Sequence, residues 1–411
     1  LNKEKIWTRN FFVVCMSSFF MFLTFYISAT AFPLYVKEGL HGDQRQMGLV
    51  ITVYVIGSVM LRPFSGGWVD RFGQKKMAII GMIVFLAASI SYFGTKNGIF
   101  LFLFARLIHG MSYALSSTAT STVAASIIPA SRQGEGMGYF SMFMSIGMVI
   151  GPALGLFLWK DKNVNVLLLS LCVITAISLA FTLIMKAPER SRISDQAAEK
   201  PLQTEKKRNR LHWSKIIEPT ALPISLVGFI LSFSYSSLSG FIASFTSEIH
   251  QSQVTSTFFV AFAVMIVAFR PLIGRVFDRY KEHYLYYPGI FLFSIGMLLL
   301  SQAHSGTMVL VDGIIMGIGY GALLPCLQTL AMKLAPEHRR GNATGTFFLL
   351  FDLGYGIGSY FMGFIAAYTD YRMMYVVAAF VPMLSAALYY LLHHRKQFKL
   401  AAARKQEAEA A

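Results

Sequence analysis

The sequence predicts an all-α membrane protein: twelve transmembrane helices arranged as two pseudo-symmetric six-helix bundles. Three observations lead there. Of 411 residues, 55% are hydrophobic and only 14% charged, against about 25% charged in soluble domains. Apolar runs close to the roughly 20 residues that cross a bilayer core recur along the whole chain. And one polar phrase is written twice. LRPFSGGWVDRFGQKK, from Leu61, returns as FRPLIGRVFDRYKEH, from Phe269, so that Arg62, Pro63, Gly66, Asp70 and Arg71 reappear as Arg270, Pro271, Gly274, Asp278 and Arg279, each 208 positions on.

The elements follow in order. The first span, 11–35, comes after a basic start and contains Ala29-Thr30-Ala31, a pattern found at signal-peptide cleavage sites. Its apolar stretch is too long for a signal peptide's core and predicts a retained helix. Spans 46–68, 77–95, 99–128, 136–159 and 164–185 complete the first bundle, residues 1–186. Residues 187–218 are polar, charged and long enough to act as a mobile cytoplasmic linker. The second bundle, 219–393, holds spans 220–247, 253–276, 284–303, 306–334, 342–367 and 371–392, and 394–411 form a cytoplasmic tail.

The repeat extends beyond the opening phrase. Pro129, Arg132, Gly134, Gly138, Phe140, Gly147, Ile150 and Gly151 match Pro336, Arg339, Gly341, Gly345, Phe347, Gly354, Ile357 and Gly358 at an offset of 207, as do Gly110 and Tyr113 with Gly317 and Tyr320. An even number of spans per half makes these parallel repeats, related by an axis along the membrane normal and facing each other across a cavity.

Charge supplies the orientation. With the N-terminus inside, the outer turns carry only Lys37, Arg45, Lys96, Lys160, Lys162 and Arg372, and nearly all the other cations fall on inner segments. This positive-inside asymmetry places both termini in the cytoplasm of a multi-pass cell-membrane protein. It also accounts for the net charge of +16 without nucleic acid, since a basic linker and tail suit anionic lipid. Cys15, Cys172 and Cys326 fall singly within spans, so neither a disulfide framework nor a metal site is indicated, and no cofactor is expected.

The run Gly66-Gly67-Trp68-Val69-Asp70-Arg71-Phe72-Gly73-Gln74-Lys75-Lys76 resembles the loop 2–3 signature of the major facilitator superfamily. Arg106 with Gly110 resembles its helix 4 signature, and Gly147, Gly151, Pro152 and Gly155 resemble the helix 5 signature of its twelve-helix, proton-coupled antiporter (drug-efflux) branch. The resemblance covers the chain apart from linker and tail. Gln74 stands where a basic residue is usual, Leu156 replaces the last glycine of the helix 5 signature, and Lys281 occupies the second-half place of Gly73. The resemblance implies the major facilitator fold, docking of Asp70 at Gly341-Asn342 where helix 11 begins, a role for Arg106 in proton coupling, and a helix 5 strip that favours export.

Several residues are candidates for the working parts. Asp70, Arg71 and Gly73, with Asp278 and Arg279 near Gly134-Glu135, would form paired cytoplasmic latches, since helix starts present free N–H groups and partial positive charge. The alternative is that Asp-Arg only fixes topology and satisfies loop backbone. Asp312 and Asp352 are the acids deep in spans, and Arg106 and His109 the bases. Such residues face wet cavities and pair; desolvation and a nearby Arg pull a carboxyl's pKa in opposite directions, which suits proton exchange. Each could instead be a satisfied structural group. The glycines of helix 5 make a smooth strip for close helix packing, with Pro152 adding a kink. Tyr26, Tyr113, Phe233, Tyr235, Tyr320, Phe351 and Tyr355, beside Ser232, Ser236 and Ser239, would suit an amphipathic substrate, although any of them could face lipid or core.

No P-loop, HExxH or GxSxG occurs, so ATP-driven transport in cis and those hydrolase types lack support and no enzyme is indicated. The function expected is export of a small organic, amphipathic molecule by proton antiport with alternating access. Proton-coupled uptake, or a non-transporting membrane sensor or scaffold, are the alternatives. The expected partners are a small-molecule substrate, protons and membrane lipid, with the chain acting as a monomer.

Overall fold

A computed structural model describes residues 5–42, 44–95, 98–187 and 217–395. Among these residues there is no strand, and twelve long helices follow one another: α1 (Arg9–Glu38), α2 (Gln44–Phe72), α3 (Gln74–Ser91), α4 (Ile99–Ile127), α5 (Gln133–Trp159), α6 (Val164–Ile184), α7 (Leu222–Glu248), α8 (Val254–Arg279), α9 (His283–Ser301), α10 (Gly306–Lys333), α11 (Arg340–Tyr368) and α12 (Tyr371–Tyr389). Ten are long and apolar enough to cross a membrane, and α8 contains a shorter apolar stretch, Val254–Arg270. Most of the expected linker, 188–216, and the tail from 396 lie outside the described residues.

Several helices outrun their apolar segments. α2 continues to Phe72 rather than 68, α8 to Arg279 rather than 276, and α11 begins at Arg340 rather than 342. Backbone hydrogen bonding needs no apolar side chains, so a helix persists past the point where its composition turns polar. Thr8, Asn163 and Asp370 cap α1, α6 and α12 by accepting from first-turn amides.

The chain forms two compact units. The first is Leu1–Pro129, Ile150–Thr220 and Met332–Thr346; the second is Ala130–Val149, Ala221–Ala331 and Phe347–Ala411. Residues 133–149 of α5 and 340–346 of α11 thereby fall in the opposite unit from the one the sequence repeat assigns them.

In the first unit α1 and α6 are joined by small hydroxyls: Ser17 and Thr182 lie 2.7 Å apart, and Ser178 donates to the Ser17 carbonyl at 2.7 Å. Such interhelical bonds replace the hydrophobic drive that lipid removes. Phe32, Tyr92 and Phe102 fill the core with ring centroids 4.8–5.2 Å apart. α4 lies along α2, with Gly110 against the Tyr54 carbonyl and Gly57 against Leu107. In the second unit α10 lies along α8 in the same manner: Gly313, Gly317 and Gly321 meet Phe258, Phe262 and Ile266. The repeat therefore governs packing register as well as sequence.

Candidate functional site

Within the first unit, the end of α2 meets the beginning of α11. Gly66 approaches so closely that a Cβ there would lie 2.5 Å from the Gly341 carbonyl oxygen and 2.6 Å from the Asn342 Cα. One turn on, Asp70 accepts from two consecutive amides, Oδ1 from Gly341 N–H and Oδ2 from Asn342 N–H, both at 2.8 Å. These amides have no partner inside their own helix, and the carboxylate meets the positive end of its dipole. Gly73 then takes φ 96, a left-handed value, and starts α3. Gln74, where the family signature usually has a basic residue, donates to Ser126 Oγ at 3.0 Å and ties α3 to α4.

The second copy shows the matching backbone approach inside the second unit. Gly274 abuts the Cα of Glu135, where an added Cβ would sit at 2.5 Å, and Gly134 packs on Phe277. The side chains of Asp278 and Pro271 lie outside the described residues. Arg71 and Arg279 are exposed, each with its guanidinium over the neighbouring ring of Phe72 or Tyr280.

Sequence reasoning missed an ionic tie beside Asp70. Glu218, buried just ahead of α7, lies 2.7 Å from Arg339 Nε and donates its own N–H to Thr346 Oγ1 at 2.9 Å. The chain leading into α7 is thus fastened to the start of α11. No local pattern around Glu218 signals this contact.

Arg106 is fully buried in α4. Its Nε donates to the Val50 carbonyl at 3.1 Å and Nη1 to Ser28 Oγ at 3.2 Å, while the guanidinium lies 4.5 Å from the Tyr54 ring centroid and 5.2 Å from that of Phe32. Nη2 meets no acceptor. Every partner found among the described residues is neutral. His109, one turn on, is held by Tyr92 Oη at 3.0 Å and packs against the tilted Phe85 ring, with centroids 4.1 Å apart.

The acids sit in the second unit. Asp312 is 2% exposed in α10, and its Oδ2 has no hydrogen-bond partner. Asp352 is half-buried near the middle of α11.

The aromatic candidates separate. In the first unit Tyr113 stands against Phe22, Phe25 and Tyr54, each with centroids at 5.6 Å, and Tyr26 against Phe25 at 4.9 Å. In the second, Tyr235 stacks on Tyr320 at 4.4 Å and lies 6.5 Å from Tyr355, whose hydroxyl accepts from Ser239 at 2.9 Å. Phe233 turns instead to the exposed Phe361, and Phe351 stacks on Phe347. The glycine strip of α5 reaches α1: Gly151 meets Tyr26, and a Cβ on Gly155 would fall 2.9 Å from the Ile27 carbonyl. Gly147 is buried, and the side chain of Pro152 lies outside the described residues.

Two further arginines, Arg62 and Arg270, are nearly as buried as Arg106. Arg62 donates through Nη1 to Ser117 Oγ at 3.0 Å and Thr118 Oγ1 at 3.4 Å. Arg270 is its repeat mate. The duplicated Arg-Pro was the available signal.

Repeated membrane helices with ionisable groups buried among them are the features expected of a polytopic membrane transporter. The chain belongs to the Major Facilitator Superfamily, whose sequence pattern matches residues 14–359 and again 224–410. It is 25% identical over 291 residues to multidrug resistance protein 2 of Bacillus subtilis, covering 68% of this chain and 70% of that one. To the quinolone resistance protein NorA of Staphylococcus aureus it is 22% identical over 360 residues, 86% and 89% of the two chains. The crystal structure of the human organic anion transporter MFSD10 shares the fold, with a TM-score of 0.75 at 15% identity over 92% of this chain and 98% of that one. This is a multi-pass membrane transporter of small molecules.

Proposed function

We propose that the protein exports a small amphipathic organic molecule across the cell membrane by proton antiport. Residues 1–186 and 219–393 act as its two moving bundles, joined by a cytoplasmic linker at 187–218 and followed by a tail at 394–411. The observation that carries the coupling is Arg106, a cation with no exposed surface whose described partners are all neutral. Holding an unneutralised charge in a membrane interior is costly and marks ion pathways. Asp312 and Asp352 are the groups that would take and release protons as access alternates. Resistance proteins among the relatives support the outward direction and an amphipathic substrate. The aromatic group around Tyr113 in the first unit, and that around Tyr235 and Tyr320 in the second, each offer apolar surface suited to such a molecule. Asp70 serves as a latch that breaks once per cycle, with Arg71, Gly73 and the Asp278-Arg279 copy shaping the same gate. The protein works as a monomer among membrane lipids.

The test is proton movement in inside-out vesicles carrying a pH gradient. Adding transported compounds should dissipate the gradient in wild type. Arg106→Ala should abolish the response, and Asp312→Asn or Asp352→Asn should reduce it at least about tenfold if that carboxyl carries the proton. A wild-type response that survives all three substitutions overturns the coupling assignment. Gradient-driven accumulation in the opposite sense would establish uptake instead.

A further inference from the structure

The two halves treat their paired arginines differently. Arg62 finds acceptors on the neighbouring α4, where Ser117 and Thr118 present their hydroxyls. At the repeat offset of 207 the corresponding residues of α10 are Leu324 and Pro325. The packing register confirms the correspondence. Gly313, Gly317 and Gly321 lie against Phe258, Phe262 and Ile266, which puts Pro325 level with Arg270 one turn further on. Leu324 and Pro325 have no side-chain acceptor. Arg270 is 3% exposed, and its Nε and Nη1 meet no acceptor. One turn beyond Pro325, Gln328 and Thr329 are each 1% exposed, with the Gln328 Nε2 and the Thr329 hydroxyl also unpartnered. The first half gives its arginine side-chain acceptors; the second leaves Arg270, and one turn further along α10 Gln328 and Thr329, each with buried polar atoms that make no hydrogen bond.

A buried donor without an acceptor costs about 1–3 kcal/mol, more when charged. A guanidinium fork matches a carboxylate in two parallel hydrogen bonds. The surroundings are apolar and aromatic: a Cβ on Gly138 of α5 would lie 4.0 Å from the Arg270 Cδ, and about two and a half turns back along α10 from Thr329 lies Tyr320, stacked on Tyr235 at 4.4 Å. The first of these belongs to a contact that loosens if the α5 start moves away from α8.

We propose that Arg270, assisted by Gln328 and Thr329, is an anion subsite that takes the carboxylate of the transported molecule, whose aromatic body rests on the Tyr235–Tyr320 stack. The substrate class is then an aromatic or amphipathic monocarboxylate. This rests on the transport reading above, but its recognition step is measured without any gradient and stands apart from proton coupling.

The experiment compares binding of three planar probes, 1-naphthoate, its methyl ester and 1-naphthylmethylammonium, to the full chain in lipid nanodiscs. Wild type should bind naphthoate at least about tenfold more tightly than the ester, the value of one charge-assisted hydrogen bond. Arg270→Gln should remove that preference and leave ester binding within about twofold. A second variant needs no loss of the arginine: Leu324→Ser with Pro325→Thr gives Arg270 the partners Arg62 already has, and should lower naphthoate affinity to a similar degree. The proposal is overturned if wild type does not distinguish acid from ester, or if both variants bind naphthoate as wild type does. Equal loss of all three probes in Arg270→Gln, with the double variant unchanged, would make the arginine structural and also overturn it. Displacement of naphthoate by chloride or phosphate at equal concentration would mean a small-anion site and reject the substrate assignment. Proton movement driven by a cationic compound would leave the transport reading standing in every one of these cases.

Discussion

Asp70 uses both carboxylate oxygens on the first free amides of α11, so its charge and its geometry act together. Asp70→Asn keeps one acceptor and loses the attraction to the helix start, worth up to about 2 kcal/mol when partly buried. The latch should open about 5- to 30-fold more often. A cysteine introduced at Thr122, which is buried and bonded to Thr344 at 3.5 Å, should then react faster with a thiol reagent, in a background lacking Cys15, Cys172 and Cys326. Unchanged labelling would reduce Asp70 to a topology marker. A second carboxylate gives a pH signature. Burial pushes the Glu282 carboxyl up, but the hydrogen bond with His393 at 2.8 Å and its own backbone N–H hold it down to about 2 from the ordinary 4.5. A depressed folded value stabilises the fold fully above about pH 4.5, and that contribution is lost as the pH falls towards 2. Glu282→Gln should therefore lower Tm at pH 7, and the gap from wild type should close as the pH is taken below 4.5. A gap that is independent of pH would show that the ionised carboxylate contributes nothing.

Among the elements, the junction of α2, α3 and α11 depends on two glycines for opposite reasons. At Gly66 the limit is space, because an added Cβ would lie 2.5 Å from the backbone oxygen of Gly341. At Gly73 nothing lies within 4 Å of such a Cβ, and the limit is the left-handed φ of 96. Gly66→Ala should force α2 and α11 apart and raise labelling at position 122 as Asp70→Asn does. Gly73→Ala should cost only the roughly 1–2 kcal/mol of an L-residue in that region, lowering Tm with little change in labelling. The reverse pattern would mean that the turn, not the helix contact, sets the latch. The α5 strip follows the first rule, since Gly155 lies against the Ile27 backbone of α1. Close packing explains those glycines without any appeal to the direction of transport.

For the whole molecule, the distribution of Lys and Arg predicts that the N-terminal and C-terminal segments share one side of the membrane, the cytoplasmic one. Epitope tags at either terminus should be inaccessible to antibody in intact cells and accessible in inside-out vesicles; a tag reached from outside would invert the orientation and put the Asp70 latch on the outer face. Much of the architecture was legible beforehand. Bilayer thickness dictates span length, so hydropathy alone located the helices, and the repeat of Arg62 to Arg71 at Arg270 to Arg279 announced two related halves. The resemblance of the signatures placed Asp70 at α11. Composition could not reveal the pairing of Glu218 with Arg339, which lie far apart in sequence, or the separation of Phe233 from the Tyr235 stack, because side-chain neighbours across helices depend on rotation and register. The sequence by itself determined class, span number, repeat and charge asymmetry, all of which follow from local composition and periodicity. Only the tertiary structure decided which buried arginine is satisfied: Arg62 and Arg270 read alike until α4 brings Ser117 and Thr118 to one, and α10 brings Leu324 and Pro325 to the level of the other.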